Sequence, residues 1–444
     1  MNAAWLRYLP APLRERLDGR ASVQAMIGNT GWLLFDRAVR TVVGIAVGAW
    51  VARYLGPAQF GELAYALAFV AIFQILAQLG LDSLVVRDIG ADPGNARERL
   101  GTALRLRLVA GLACWGAAIG GMALLRPGDT GALLLVAIVA GSIVFQAADT
   151  VDLWFQSQTQ SKRTVAAKSL AFALASALKV ALVLWQAPLA AFAAVVMVEA
   201  ALSALALVLV YRRYPAPGRW TWSATRGGDL LREAWPLLVS GLAVVLYMRV
   251  DQIMLRELVG EGELGIYSAA LSLSTLWYFI PMAIYSSTAP AFSRLKLQSE
   301  AAYLEALARL FALMWALAGA VSIVMALSAG FLVDLLYGGA YRDAATVLAV
   351  HVFANIPVAL GVAQSLWITN ERRPQFALYR TLFGLLVNVA LNLALIPRYG
   401  AIGAALATLI AQFCAAVLFN AFAAREILAL QFLWLTKWTT ASRP

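Results

Sequence analysis

Four basic side chains lie well inside long apolar segments of this chain, away from the segment ends, where a cation is costly. They are Arg37, Arg40, Lys179 and Arg249. A lone cation in hydrocarbon survives by reaching the membrane surface, by pairing with an acid or by facing water. Guanidinium and ammonium groups in a low-dielectric chamber hold anions strongly, phosphates above all. We interpret all four as candidates for binding an anionic substrate, although Arg37 and Lys179 also lie within reach of a membrane surface.

Acidic side chains in the same segments are candidates for coupling to an ion or for neutralising these cations. Asp36 lies one helical turn before Arg40, so the two can pair within one helix. Glu199 lies near the middle of its segment, and Asp251 shares a segment with one of the cations. Intramembrane carboxylates of this kind bind protons or Na⁺, or act as counter-ions. We assign these roles to Asp36, Glu199 and Asp251.

Polar side chains also recur at one-turn spacing on two of the apolar segments. Arg380, Asn388 and Asn392 fall on one slowly drifting face, and His351 lies one turn before Asn355. Such a face either packs helices closely through amide hydrogen bonds or lines a water-filled path. We keep both interpretations open and treat the five as candidates for lining a polar cavity.

The chain offers no ligand set for a metal or a cofactor. It has one histidine and two cysteines, and both cysteines lie inside apolar segments, where a thiol is a small core residue. No phosphate-binding loop, dinucleotide fingerprint or hydrolase motif is present. We therefore expect no metal, no cofactor and no catalytic residue.

The elements that must position these residues are membrane-spanning helices. Of 444 residues, 62% are hydrophobic and only 13% are charged, whereas soluble chains carry about a quarter charged residues. The chain divides into about twelve apolar segments, each with the roughly 20 residues that cross a bilayer. We therefore predict an all-α integral membrane protein. The predicted spans are 31–52, 60–80, 106–125, 131–153, 165–186, 189–211, 234–255, 265–288, 307–329, 345–368, 377–396 and 401–423.

The charges between these segments predict their orientation. Every second gap is rich in Lys and Arg, and the alternate gaps contain only Arg53, Arg126, Arg256, Arg342 and Arg398. Basic loops stay on the cytoplasmic side of a membrane. We therefore expect both termini in the cytoplasm, and we attribute the net charge of +11 to the basic loops rather than to a nucleic-acid partner.

The chain also looks duplicated. The segment Arg53-Tyr-Leu-Gly-Pro-Ala-Gln-Phe-Gly61, followed by Tyr65, has a counterpart in Leu258-Val-Gly-Glu-Gly-Glu-Leu-Gly265, followed by Tyr267. With six spans per half, both halves enter the membrane from the same side, and an axis along the membrane normal relates them. The predicted divisions are an amphipathic segment at 1–30, six-helix lobes at 31–211 and 234–425, a cytoplasmic linker and hinge at 212–233, and a cytoplasmic tail at 426–444.

Several segments together resemble a known family, the polysaccharide exporters or oligosaccharide flippases. This family belongs to the multidrug/oligosaccharidyl-lipid/polysaccharide exporter superfamily. The resemblance implies two six-helix bundles around a V-shaped central cavity that alternates between the two faces. In order along the chain, the matching segments are Tyr54-Leu-Gly-Pro-Ala-Gln-Phe-Gly61, Gly80-Leu-Asp-Ser-Leu-Val-Val-Arg87, Arg249-Val-Asp251-Gln-Ile-Met, Gly265-Ile-Tyr267, Tyr337-Gly-Gly-Ala-Tyr341 and Asn388-Val-Ala-Leu-Asn392.

The same resemblance implies a transporter and not an enzyme. The implied substrate is an oligosaccharide repeat unit linked through pyrophosphate to undecaprenol. It would move from the cytoplasmic to the periplasmic leaflet of a bacterial inner membrane, for O-antigen, capsule or exopolysaccharide synthesis. A polysaccharide polymerase and a chain-length regulator are the expected protein partners, with H⁺ or Na⁺ as the coupling ion.

Two alternatives stay open. One is a cation-coupled multidrug antiporter of the same superfamily, which needs an acidic and aromatic chamber for cationic drugs. The other is a membrane-embedded polysaccharide polymerase or ligase, which usually needs a large loop with catalytic polar residues outside the membrane. The intramembrane cations count against the first alternative, and the short loops count against the second.

Overall fold

Every regular element in the described part of the chain is a helix. The computed structural model describes the backbone of residues 21–441 and the side chains of residues 39–433, in both cases without position 217. The amphipathic segment predicted at 1–30 therefore lies largely outside the described residues. So do the side chains of Asp36 and Arg37.

The described part of the first half contains eight helices, several of which continue one another within one span. In the span that begins at Thr130, Gly141 separates the first two pieces, and one 3₁₀ turn, Gln146–Asp149, links the second piece to the third. The helices are α1 (Ala21–Gln78), α2 (Asp82–Ala91), α3 (Ala96–Leu125), α4 (Thr130–Ala140), α5 (Ser142–Phe145), α6 (Thr150–Ser157), α7 (Ser161–Leu184) and α8 (Leu189–Arg213).

The second half repeats this plan with ten helices. They are α9 (Ala224–Val259), α10 (Glu261–Ser274), α11 (Phe279–Gln298), α12 (Glu300–Leu327), α13 (Ala329–Leu336), α14 (Ala344–His351), α15 (Asn355–Asn370), α16 (Pro374–Phe413), α17 (Phe419–Ala423) and α18 (Arg425–Ala441).

Ten helical stretches among the described residues are long and apolar enough to cross a membrane. Two of them, Val39–Ala91 and Pro374–Ala423, are 53 and 50 residues long, which is twice what a bilayer needs. Each contains a glycine with a non-helical backbone inside its longest helix: Gly56 with φ of 73° and Gly400 with φ of 53°. Glycine adopts positive φ without steric cost, so each long stretch is two spans joined at a glycine. The ten stretches thus account for the twelve predicted spans, and the protein is a multi-pass membrane protein.

The two halves meet where the repeated sequence segments lie. A Cβ atom added to Gly61 of α1 would overlap the carbonyl oxygen of Glu261, and one added to Gly265 of α10 would overlap the carbonyl oxygen of Pro57. These reciprocal contacts fit an approximate two-fold relation between the halves. The largest buried apolar cluster lies around them and takes residues from both halves. We call this side of the molecule the Gly56 face and the opposite side, with the Lys- and Arg-rich gaps, the basic face.

The segment between the halves is held against the first half. The N–H of Thr221 donates to the Arg97 carbonyl at 3.2 Å, and the N–H of Ser223 donates to Thr102 Oγ1 at 3.2 Å. Ser223 also caps α9 by accepting a hydrogen bond from the N–H of Arg226. Helix α9 thus begins inside the predicted linker at 212–233, and a hinge in that segment stays a prediction.

Candidate functional site

A cluster of charged and aromatic side chains joins the two halves at the Gly56 face. Glu257 of α9 accepts hydrogen bonds from Tyr65 Oη at 2.7 Å and from Arg126 at 2.9 and 3.1 Å. Asp129, beside α4, accepts from Arg126 and from Arg256 of α9, both at 3.3 Å. The Arg256 guanidinium also lies 5.0 Å from the ring centroid of Tyr65. We call these five side chains the closure cluster, because they connect the halves on this side.

The sequence analysis placed Arg126 and Arg256 in the sparse gaps and gave them no role. Arg256 is in fact 7% exposed, because the opposite half covers it. Charge counting gives the depth of a residue along its helix but not the side to which it points. Only the repeat signal, which marked Tyr65, pointed to this region.

Two of the four predicted substrate cations have no acidic partner in the described part of the chain. The Arg40 guanidinium lies 5.0 Å from the ring centroid of Phe172, and Arg249 donates to Gln252 Oε1 at 3.5 Å. Both arginines are half-buried. Among residues 39–433 no carboxylate lies within ion-pair distance of either. The Arg249 guanidinium therefore has donors available for an anion, and the side chain of Asp36, the predicted partner of Arg40, lies outside the described residues.

A third predicted cation is paired. Lys179 Nζ of α7 lies 3.3 Å from Glu199 Oε2 of α8, and the two side chains are 26% and 30% exposed. The structure thus brings together a residue assigned to substrate and one assigned to coupling. This pair neutralises both charges within the first half. The fourth cation, Arg37, lies outside the described side chains.

Asp251 of α9 is a buried carboxylate, 4% exposed, with neutral hydrogen-bond donors around it. It accepts a hydrogen bond from Tyr267 Oη, one from the backbone N–H of Gln252 at 2.7 Å and one from Thr408 Oγ1 at 3.4 Å. No ion pair to Asp251 occurs in the described part of the chain. A buried carboxylate without an ion pair is unusual in proteins.

Two predicted asparagines of α16 extend this site. Asn388 Nδ2 donates to Thr408 Oγ1 at 3.4 Å, and Asn392 Nδ2 donates to Asn388 Oδ1 at 2.9 Å. Both are fully buried, and Asn392 Oδ1 is buried without a hydrogen-bond partner. The sequence analysis missed Thr408 and noted Tyr267 only as a repeat marker. The contacts of Tyr267 and Thr408 with Asp251 involve three separate spans. The spacing of residues along one helix does not reveal such contacts.

The other polar candidates hydrogen-bond outside this network, although the His351 ring packs against the Tyr267 ring, with 5.9 Å between their centroids. Arg380 donates to Gln364 Oε1 at 2.9 Å and to the Gly361 carbonyl at 3.3 Å. The His351 Nδ1 atom lies 2.8 Å from Ser274 Oγ. The side-chain nitrogen and oxygen of Asn355 are buried without partners. The hydrogen bonds of Arg380 and His351 join neighbouring helices of the second half, as expected for packing through polar groups.

Comparison with protein families gives one match over most of the chain. The family described as "Polysaccharide biosynthesis protein" matches residues 27–296. The probable flippase AglR of Haloferax volcanii is 26% identical over 204 residues, which are 44% of this chain and 42% of that protein. The match thus spans less than half the length of this curated relative.

Solved structures share the fold over nearly the whole chain. An inward-facing multidrug resistance MATE family transporter of the MOP superfamily has a TM-score of 0.71 at 17% identity, covering 88% of this chain and 95% of its own. The lipid II flippase MurJ, in an inward closed conformation, has a TM-score of 0.72 at 13% identity and 93% coverage of both chains.

These similarities confirm the predicted fold class, an all-α membrane protein with the helical architecture of these transporters. Identities this low show the fold alone. The family match supports a more specific conclusion than the fold, because it spans more than half of the chain and includes the segments around Gly61, Arg249 and Gly265. The chain belongs to the polysaccharide biosynthesis protein family.

Proposed function

We propose that this protein is a flippase and not an enzyme. Its substrate would be an oligosaccharide linked through pyrophosphate to undecaprenol, moved from the cytoplasmic to the periplasmic leaflet of a bacterial inner membrane. The observation that carries the proposal is that Arg40 and Arg249 lie in membrane spans of the two halves without a described acidic partner. Cations in such a position suit the pyrophosphate group.

The closure cluster and the Gly61–Gly265 contact support a direction of entry. They hold the halves together at the Gly56 face, so a substrate would enter from the basic face. We assign the basic face and both termini to the cytoplasm, because Lys and Arg accumulate there. Rocking of one half against the other would then open the Gly56 face. A polysaccharide polymerase that consumes the flipped unit and a chain-length regulator are the partners we expect.

We further propose that Asp251 binds the coupling ion. Its carboxylate is buried among the hydroxyls of Tyr267 and Thr408, and burying an unpaired carboxylate costs several kcal/mol. A proton or an Na⁺ ion bound there would remove this cost, and carboxylate, hydroxyl and amide oxygens are ligands for hard cations. Arg249 lies two residues earlier on α9, so occupation of the ion site would change the field at a substrate cation.

A cation-coupled multidrug antiporter is the second candidate, and the buried Asp251 carboxylate is the observation that favours it. Such a transporter would carry cationic compounds. Arg40 and Arg249 would repel a cation, whereas they would attract a pyrophosphate. The two functions therefore differ in the charge of the transported molecule.

A reconstituted assay separates these functions. Purified protein in liposomes is given a fluorescent undecaprenyl-pyrophosphate-linked saccharide, and quenching from outside measures how fast the lipid changes leaflet. Ethidium uptake is measured in the same vesicles. The proposal expects rapid exchange of the lipid, compared with protein-free vesicles, and no ethidium uptake. Ethidium uptake without lipid exchange would replace the flippase with the antiporter.

A further inference from the structure

We propose that a polar cavity within the first half binds the sugar part of the lipid-linked substrate. This inference rests on the proposed function and adds a second subsite to it. The cavity lies towards the basic face, between residues of α1, α2, α3, α6 and α7, and has a volume of about 190 Å³. One water needs roughly 10–15 Å³ by the same measure, so the cavity has room for a sugar ring.

The charges in the cavity wall are already paired with one another. Lys168 Nζ lies 2.8 Å from Asp149 Oδ1 and 2.9 Å from Asp152 Oδ2. Arg107 lies 2.8 Å from Asp82 Oδ1. Two cations thus face three carboxylates, and the wall has a slight excess of negative charge. A pyrophosphate or an acidic sugar would be repelled here, in contrast to Arg40 and Arg249.

Hydrogen-bonding groups nevertheless remain available in the wall. Arg107 is 3% exposed, and its Nε atom is buried without a partner. The Oε1 atom of Gln146 is also buried without a partner. The amide of Gln156 is exposed to the cavity side of α6 and donates only to Asp152, at 3.2 Å. The Arg107 Nε and Gln146 Oε1 atoms are enclosed by protein, whereas the residues Gln146 and Gln156 themselves line the cavity, so a ligand that hydrogen-bonds to their amides would gain affinity.

Sugar hydroxyls match this set of groups. A hydroxyl both donates and accepts, amides do the same, and each carboxylate can accept several further hydrogen bonds. A wall of amides and paired charges therefore suits neutral or amino sugars. The net charge of the cavity disfavours uronic acids. The cavity would thus contribute to the choice of sugar, whereas the arginines would bind the pyrophosphate common to such lipids.

The competing explanation is that these ion pairs only hold helices together. Two substitutions distinguish helix packing from sugar binding. Gln146→Met and Gln156→Met each replace an amide side chain with an apolar one of similar volume, and they leave the ion pairs of Lys168 and Arg107 intact. Gln158→Met is the matched control, because Gln158 lies just beyond α6 and does not line the cavity. Thermal unfolding of each purified variant checks that the fold is retained.

The experiment measures binding to full-length protein in nanodiscs. The probes are undecaprenyl pyrophosphate, the same lipid carrying N-acetylglucosamine, and the same lipid carrying glucuronic acid. We expect wild-type protein and Gln158→Met to bind the N-acetylglucosamine lipid about fivefold more tightly than bare undecaprenyl pyrophosphate, since each good hydrogen bond contributes a factor of this order. The Gln146→Met and Gln156→Met variants should lose this preference and bind the bare lipid normally.

The outcomes distinguish the subsite from the function. If bare undecaprenyl pyrophosphate binds but the sugar adds no affinity, or if both cavity variants keep the wild-type preference, the sugar subsite is refuted and the flippase stands. Tighter binding of the glucuronic acid lipid than of the N-acetylglucosamine lipid would also overturn the subsite as described. If none of the three lipids binds, both the proposed function and the subsite are overturned.

Discussion

Gly61 and Gly265 occupy matching positions in the sequence repeat, and each packs against the start of the other's helical segment. The Gly61 backbone faces the carbonyl oxygen of Glu261, and the Gly265 backbone faces that of Pro57, at distances that leave no room for a Cβ atom. Helices approach this closely only through residues without bulky side chains. The closed Gly56 face therefore requires glycine at both positions.

Gly265→Ala should favour a state in which the Gly56 face is open. The added methyl group meets backbone atoms that cannot rotate away, and overpacking of this kind costs about 1–3 kcal/mol. Labelling of a cysteine placed at Glu62, which lies close to Asp129 and Glu261 but outside the closure cluster, with a membrane-impermeant maleimide measures the opening. Gly262→Ala is the control, because a Cβ there meets nothing within 4 Å. Equal labelling of the two variants would show that the contact does not govern closure.

Glu257→Gln should weaken the same closure by a smaller amount. It removes the charge that pairs with Arg126, whose side chain is 23% exposed against 41% for Glu257. Ion pairs this exposed contribute about 1 kcal/mol or less and weaken with salt. Maleimide labelling of Glu257→Gln should therefore exceed that of wild type in low salt, and the difference between the two proteins should be smaller in high salt. The double variant Arg126→Gln/Glu257→Gln should be labelled little more than Glu257→Gln alone. If the effects of the two substitutions on labelling were fully additive, Arg126 and Glu257 would not act as an ion pair.

Lys179 and Glu199 can be tested as a pair. If they neutralise each other, Lys179→Gln leaves an unpaired carboxylate in the membrane and should lower the unfolding temperature. The double variant Lys179→Gln/Glu199→Gln should recover stability and lipid exchange. A stable double variant that no longer flips lipid would instead place Lys179 at the substrate.

Asp251→Asn should uncouple lipid exchange from the ion gradient. The amide cannot bind a proton or attract Na⁺ in the way that the buried carboxylate does. In liposomes with an imposed pH or Na⁺ gradient, wild-type protein should flip the fluorescent lipid faster with one of the gradients than without, and the variant should not respond to it. Asp229→Asn, on the non-membrane part of α9 before the predicted seventh span, is a control. A variant that keeps the wild-type response would remove Asp251 from the coupling role.

The helical spans were predictable because hydropathy depends on local sequence. The sharp breaks at Gly56 and Gly400 coincide with gaps between predicted spans, although in the structure the helix resumes at once. The beginning of α9 at Ala224 was not predicted, because its first turns are polar and lie outside the apolar window.

The arrangement of polar residues was harder to predict. Asp251 was selected for its position in a span, but its contacts with Tyr267 and Thr408 depend on how three helices pack. Lys168 received no role from the sequence, whereas the structure pairs it with Asp149 and Asp152. Direction around a helix is set by tertiary packing, which the local sequence of one span does not show.

The central claim is that Arg40 and Arg249 bind the pyrophosphate of a lipid-linked saccharide. The most direct measurement is the rate of fluorescent lipid exchange for Arg40→Gln and Arg249→Gln, with Arg309→Gln as the control because Arg309 is an exposed arginine paired with Glu305. Loss of a charge-assisted hydrogen bond costs about 1.5–3 kcal/mol, so each variant should exchange lipid at least about tenfold more slowly, with unchanged unfolding temperature. Wild-type exchange by both variants would contradict the claim.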